Sequence, residues 1–262
     1  MANPHLKSSP IKLSVVLATY NEEANLTRCL ESVKSIASEI VIADEQSSDK
    51  TVAIAKKFGA RVISVSHNEN FHITKNMAID AARGNWILQL DADEVVSPEL
   101  AKEIISVIKN TEYNGFWLNR KNWFLGRFLT KGGQYPDPTL RLYQRGKGRL
   151  PAKDVHEQAV VEGLVGKLKH DLLHYRDTSF TKYLDGFNRY SSFIALQIDP
   201  QVNLWQTFNY LVVKPAMTFG KIYFRHRGYV DKFPGLVFAL FSGLIYPVAY
   251  IKYWQHVKYP TK

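Results

Sequence analysis

Three short apolar runs in the first ninety residues each end in polar or acidic side chains. Leu13-Ser14-Val15-Val16-Leu17-Ala18-Thr19 leads into Tyr20-Asn21-Glu22-Glu23, and Ile40-Val41-Ile42-Ala43 leads into Asp44-Glu45-Gln46-Ser47-Ser48-Asp49. Trp86-Ile87-Leu88-Gln89-Leu90 leads into Asp91-Ala92-Asp93-Glu94. Runs this short and this apolar fit strands covered on both faces, as in a parallel sheet. With acids at the three carboxyl ends, the strands point to one acidic, nucleotide-sized crevice along that sheet edge.

Helical spacing fills the intervals. Residues 22–36 carry Leu26, Leu30, Val33 and Ile36 on one face, and residues 49–58 carry Val52, Ala55 and Phe58. A short strand is expected over 61–65, then a helix over 73–83 with Gly84 as its stop. Pro98 sits near the first turn of a helix that runs to about Lys109, where proline is tolerated. This alternation predicts an α/β fold with a mostly parallel central sheet. After Thr111 the pattern changes. Strands are expected over 115–120 and 139–143, a loop over 126–138, and one or two short strands over 159–174. From Phe180 helical spacing continues into the tail. There are no internal repeats and no low-complexity segment.

A chain of 262 residues with 45% apolar content can bury a full core. The single cysteine, Cys29, excludes an intramolecular disulfide, fits a reducing compartment and reads as a small packed thiol. The first ten residues are polar and lack the apolar centre of a signal peptide, so the protein is expected to stay where it is made. Charge is concentrated in the tail. Trp205 to Lys262 holds eight Lys or Arg against one acid, Asp231, a surplus of seven within a net +10. Phe233 to Ile251 is a 19-residue stretch with no charge. A nucleic-acid binder would explain the basic tail but not this stretch. Together the two features point to an anionic membrane surface and exclude nucleic acid as the expected partner. As a helix the stretch would be about 28 Å long at ~1.5 Å per residue, near the thickness of a bilayer core. Pro247 and two glycines weaken it as a continuous helix, and residues 208–229 ahead of it are amphipathic and basic. Helices lying on the membrane are therefore preferred to a span. Burial of the stretch between the subunits of a homo-oligomer stays open.

Asp91 and Asp93, two residues apart at a strand end, suit a hard divalent cation such as Mg²⁺ or Mn²⁺, with substrate phosphates completing the shell. Asp44 and Glu22 have a simpler reading as helix caps. Lys75 reads as a solvated helix residue or as a cation for a diphosphate. His174, behind Leu172-Leu173, reads as a packed core histidine or a ligand. Arg141 and Arg145 read as phosphate contacts or a solvated strand face, and Trp117, Trp123 and Tyr135 as core or sugar-stacking rings.

Thr19-Tyr20-Asn21-Glu22-Glu23, Asp44 through Thr51, Lys75-Asn76 with Ala82-Arg83-Gly84, and Asp91-Ala92-Asp93-Glu94 resemble family 2 glycosyltransferases of the GT-A fold, in order and spacing, across roughly residues 11–110. Val155-His156-Glu157 and Leu172-Leu173-His174-Tyr175 resemble, less specifically, a subgroup that elongates lipopolysaccharide core. Three positions depart from the family pattern: Gln46 replaces a usual Gly, Glu45 a usual Asp, and Lys75 a frequent Arg.

The resemblance implies that Asp44 accepts from uracil N3–H, that Thr19 and Tyr20 border the base, and that Glu22 faces the nucleotide. It implies that Asp93 binds the metal, that Asp91 contacts the ribose or a metal-bound water, and that His174 completes the metal shell or touches the diphosphate. It also implies that Glu157 is the base of an inverting transfer, with Asp154 second. The expected organisation is a flexible 1–10, a catalytic domain over 11–190 (nucleotide-sugar side 11–110, acceptor side 111–190) and a membrane-associating region over 191–262. The expected function is transfer of a hexose, most readily from a UDP-sugar, to a lipid-linked saccharide such as lipopolysaccharide core. That places the protein at the cytoplasmic face of the inner membrane, peripheral or monotopic. The alternatives are a membrane-bound sugar-nucleotide binder without turnover, and a nucleotidyltransferase. The latter would favour a glycine-rich phosphate loop, and residues 18–28 contain no glycine.

Overall fold

The structure is a computed structural model that describes residues 12–68, 70–151, 158–199 and 202–258. The chain divides into two compact units. One holds the residues up to Arg120 together with Asp137–His174, and the other holds Lys121–Pro136 and Tyr175 onward.

In the first unit, strands β1 (Leu13–Thr19), β2 (Glu39–Asp44), β3 (Arg61–Ser64) and β4 (Trp86–Gln89) run parallel in the order β3-β2-β1-β4. Helices α1 (Leu26–Val33), α2 (Thr51–Lys57) and α3 (Phe71–Ala81) make the crossovers, and α4 (Pro98–Val107) follows β5 (Glu94–Val96). Every residue of β1 is buried, as a central strand covered on both faces requires. Leu13, Val15 and Leu17 join one core layer with α1 and α4 residues such as Leu30 and Ile104. Val16 joins the opposite layer with Ala78 and Ile79 of α3.

Beyond β4 the sheet continues with antiparallel strands. β6 (Gly115–Phe124), β7 (Arg127–Phe128), β8 (Asp137–Gln144) and β11 (Val165–Asp177) extend it in the order β4-β8-β6-β11-β5, with β7 paired to β6. β9 (Gly148–Arg149) and β10 (Val160–Val161) form a separate pair. The edge strand β5 pairs antiparallel with β11, and its register sets His174 opposite Glu94. That pairing brings residues eighty positions apart to one sheet edge.

The second unit is built on α5 (Phe180–Leu196), α6 (Leu204–Phe208), α7 (Lys214–Gly220) and α8 (Lys232–Lys258). π-helical turns at Asn209–Val213 and Lys221–Arg225 continue α6 and α7. The helix α8 runs unbroken through Pro247, against the expectation that proline and glycine would weaken it. The glycines have a packing reason. A Cβ on Gly243 would lie 2.7 Å from the Pro215 carbonyl oxygen, so glycine lets α8 and α7 approach closely. By length and composition the helical stretch Gly228–Val257 could cross a membrane, a test that a core helix also passes. Ahead of α8, the buried Asp231 accepts from Thr130 N at 2.9 Å, Lys131 N at 2.8 Å and Thr130 Oγ1 at 2.8 Å, which ties the 127–131 loop to the helices.

Candidate active site

Two loops at the carboxyl ends of β1 and β2 form one wall of the site. Asn21 Oδ1 accepts from Ser48 N, Ser47 Oγ accepts from Asn21 N, and Asp49 Oδ2 accepts from Glu23 N, all within 3.0 Å. Asn21 and Gln46 both have left-handed backbone, at φ 54° and 58°. This accounts for the glycine expected at the Gln46 position: the left-handed region costs a residue with a side chain about 1 kcal/mol.

Asp44 is buried opposite Thr19 in the β1–β2 register. Its carboxylate accepts from Thr19 Oγ1 at 2.8 Å, Ser47 Oγ at 2.6 Å and Ser47 N at 2.9 Å, which fixes its plane. Tyr20 is 45% exposed, and its ring lies 5.2 Å from that of His67. Sequence reasoning did not single out His67. No local pattern marks it, and it joins the site only because β3 lies beside β2. Glu45 is buried behind this wall and supports it through His67. It receives a hydrogen bond from Thr74 Oγ1 at 2.5 Å and pairs with His67 Nδ1 at 2.6 Å. Glu22 accepts from the Asn25 side chain at 2.9 Å just ahead of α1, whose N-cap residue Asn25 makes no side-chain cap.

The second wall carries an ionic network. Lys75, buried on α3, places Nζ 2.5 Å from Asp91 Oδ1, and Arg141 of β8 places Nη2 2.5 Å from Asp91 Oδ2. The same Arg141 nitrogen reaches Glu94 Oε1 at 2.9 Å, and Glu94 Oε2 accepts from Asp91 N. Arg120 of β6 binds Asp137 at 2.8 Å and approaches Glu94 at 3.5 Å. Burial alone pushes the Asp91 carboxyl up, but Arg141 and then Lys75 outweigh it and hold its pKa well below the usual carboxylate range. Arg141 is thus neither a solvated strand residue nor a free phosphate contact. Below the loop, the buried Cys29 of α1 packs its thiol 3.6 Å from the Asp91 carbonyl oxygen.

Asp93 projects on the other side of the loop. Its Oδ2 is 3.5 Å from Nε2 of His174, which β11 delivers to the same edge. Among the described residues no cluster of three or more His, Cys, Asp or Glu could hold a metal. One carboxylate and one imidazole fit a divalent cation of the Mn²⁺ type completed by phosphate oxygens.

Asp154, His156 and Glu157 lie outside the described residues. Both ends of their segment are anchored at this wall. Asn76 binds Leu150 through its amide in both directions, at 2.9 and 3.2 Å, and Gln158 Oε1 accepts from Thr139 Oγ1 and Leu140 N. Arg145 is exposed, Trp117 packs against the core, and in the second unit Trp123 contacts Phe128 and Tyr175 while Tyr135 faces Lys121.

A depressed Asp91 pKa stabilises the fold fully above the unfolded-state value of about 3.9, and the contribution is lost as pH falls toward the lower folded-state value. Unfolding midpoints measured between about pH 5 and pH 2 should fall more steeply for the wild type than for Asp91→Asn, which starts lower. Parallel curves would contradict the ionic assignment.

Residues 14–191 match glycosyl transferase family 2. The lipopolysaccharide core biosynthesis glycosyltransferase LpsC of Rhizobium meliloti (strain 1021) is 30% identical over 250 residues, covering 88% of this chain and 90% of LpsC. An uncharacterized glycosyltransferase of Rickettsia typhi, RT0209, is 29% identical, covering 86% and 81%. The crystal structure of S. aureus TarS 1-349 in complex with UDP shares the fold at a TM-score of 0.51 and 16% identity, covering 95% of this chain and 88% of that one. The match spans the laced loops, the Asp91–Asp93 turn and His174, and the chain belongs to glycosyl transferase family 2.

Proposed function

We propose that this glycosyltransferase moves a hexose from a UDP-sugar, with inversion and with the help of a divalent metal, to a lipid-linked saccharide of the lipopolysaccharide-core kind. The observation that carries the reading is the split of the Asp91-Ala92-Asp93 turn. Asp91 is committed to Lys75 and Arg141, while Asp93 meets His174 at 3.5 Å. The turn thus separates a rigid anchor from a ligand pair. The UDP seen with TarS and the LpsC name support the donor and acceptor classes.

In this reading the uracil lies against the Tyr20–His67 side, with its N3–H donating to the fixed carboxylate of Asp44. Asp93 and His174 would hold the cation, whose Lewis acidity offsets the charge gathering on the leaving diphosphate. Lys75 adds a nearby positive charge. Glu157, with Asp154 as the alternative, takes the acceptor hydroxyl proton as that oxygen attacks the anomeric carbon. The bond from that carbon to the diphosphate oxygen breaks, and its electron pair leaves with UDP. One displacement inverts the centre and forms no covalent enzyme intermediate.

The helical unit would hold the enzyme at the cytoplasmic membrane surface. Leu204 is 90% exposed and Met217 68%, and Trp205, Phe208 and Phe233 are also exposed beside Lys214, Lys221 and Arg225 in sequence. Apolar side chains interleaved with basic ones suit an anionic lipid surface, at about 1 kcal/mol per basic residue near the headgroups.

Calorimetric titration with UDP should show binding that depends on Mn²⁺ and weakens at least about tenfold, about 1.4 kcal/mol, in Asp93→Ala. Glu157→Gln should bind UDP normally yet lose about 10²–10⁴ in turnover. Metal-independent binding that survives Asp93→Ala would refute the metal assignment. In flotation assays the protein should rise with liposomes containing phosphatidylglycerol and stay below with pure phosphatidylcholine in moderate salt. Equal recovery in the bottom fraction with both would refute the membrane reading.

A further inference from the structure

Helix α4 is apolar on two sides. Leu100, Ile104 and Ile108 join the core, as an amphipathic helix requires. Ala101 and Ile105, four residues apart, instead line a groove of about 830 Å³ between α4 and α1. Val95 and Val96 of β5 and Ile36, just past α1, line it as well. Ile36, Val95 and Ile105 stay partly exposed there, although each is a branched aliphatic side chain. The charges around the groove are uneven. Arg28 of α1, Lys102 of α4 and Lys109 just beyond α4 stand against one acid among the lining residues, Glu31. We propose that this groove is a binding site for an anionic phospholipid, with an acyl chain along the aliphatic side chains and the phosphate among Arg28, Lys102 and Lys109. The inference takes from the membrane reading above only that such lipid is at hand, and it does not depend on the donor assignment.

Three observations carry it. The first is size. The volume falls in the ~300–1,000 Å³ range of sites for small ligands, which are mostly apolar with a few placed polar groups. The second is charge complementarity. Three cations against one carboxylate leave a surplus that an anionic headgroup answers, and they lie on both helices, so one phosphate can face both sides. A zwitterionic lipid would bring its own cation to the same place, and a bare phosphate ester would leave the aliphatic side chains in water. The third concerns what the groove does not offer. β5 is the last strand of the sheet, but its Val96 amide donates to Ser32 Oγ at 3.1 Å rather than to a free position. An extended peptide adding itself as a strand would find that donor taken, whereas an acyl chain needs no hydrogen bond. The same strand carries Glu94, which binds Arg141 and the Asp91 amide. A lipid resting on Val95 and Val96 therefore touches the element that follows the Asp91–Glu94 turn.

The test places a reporter in the groove. Cys29 is buried, so an environment-sensitive thiol fluorophore attaches selectively to Ser106→Cys of the full chain, at an exposed position that lines the groove. Dihexanoylphosphatidylglycerol is titrated as monomers in moderate salt, against dihexanoylphosphatidylcholine and glycerol 3-phosphate. The fluorophore should report binding of the phosphatidylglycerol at least about tenfold tighter than of either comparison compound. Adding Lys102→Glu and Lys109→Glu, both exposed positions, should weaken that binding at least about tenfold with the unfolding midpoint unchanged. Equal response to the two lipids, equal response to glycerol 3-phosphate, no response at all, or a response that survives the charge reversal would each overturn the proposal. Liposome flotation is scored separately, so a protein that fails to float yet responds at Ser106→Cys loses the membrane reading and keeps the groove.

Discussion

The site depends on one carboxylate held between two cations. Asp91 follows a strand that is buried along its whole length, so its position is set by the core. Lys75 from α3 and Arg141 from β8 then fix both of its oxygens. Helix, strand and turn meet at that group, and Glu94 closes the arrangement by binding Arg141 and the Asp91 amide. Buried ion pairs add little net stability because desolvation offsets much of their attraction, whereas removing one member leaves a charge stranded at a cost of about 3–5 kcal/mol. The return on this network is therefore geometric. It holds the 91–94 turn in one conformation, and Asp93 inherits that position.

The consequence for chemistry is a division of labour. If both aspartates of the turn were free, two carboxylates would compete for one cation and repel each other. With Asp91 neutralised from within, the proposed ligand side is Asp93 with His174, and in that proposal a diphosphate would complete the shell. Asp44 is set in the same way: Thr19 and Ser47 donate to its carboxylate and fix its orientation. Groups set in place beforehand need no rearrangement when charge develops, which is where most electrostatic catalysis originates.

Much of this was legible in the residues. The alternating apolar runs determined the parallel strands and their crossovers, and their carboxyl ends located Thr19, Asp44, Asp91 and Asp93 at one edge. The partners that arrive from the second half were harder to read. Arg141 alternates with Leu140 and Leu142 and reads in sequence equally as a solvated residue or as a contact to phosphate or an acidic acceptor, and only the antiparallel β4–β8 pairing turns it onto Asp91. His67 depends on β3 lying beside β2, and the short strand β5 has three residues, too few for a periodic signal. Tertiary packing also explains α8. Its glycines read as weak points in isolation, yet Gly243 is where the helix meets Pro215.

The most direct test of this account is a crystal grown with UDP and Mn²⁺ and measured at the manganese absorption edge. The account predicts an anomalous peak shared by Asp93, His174 and the diphosphate, with Asp91 still bound to Lys75 and Arg141. A peak on Asp91 with its cations displaced, or UDP bound with no peak at Asp93, would contradict it.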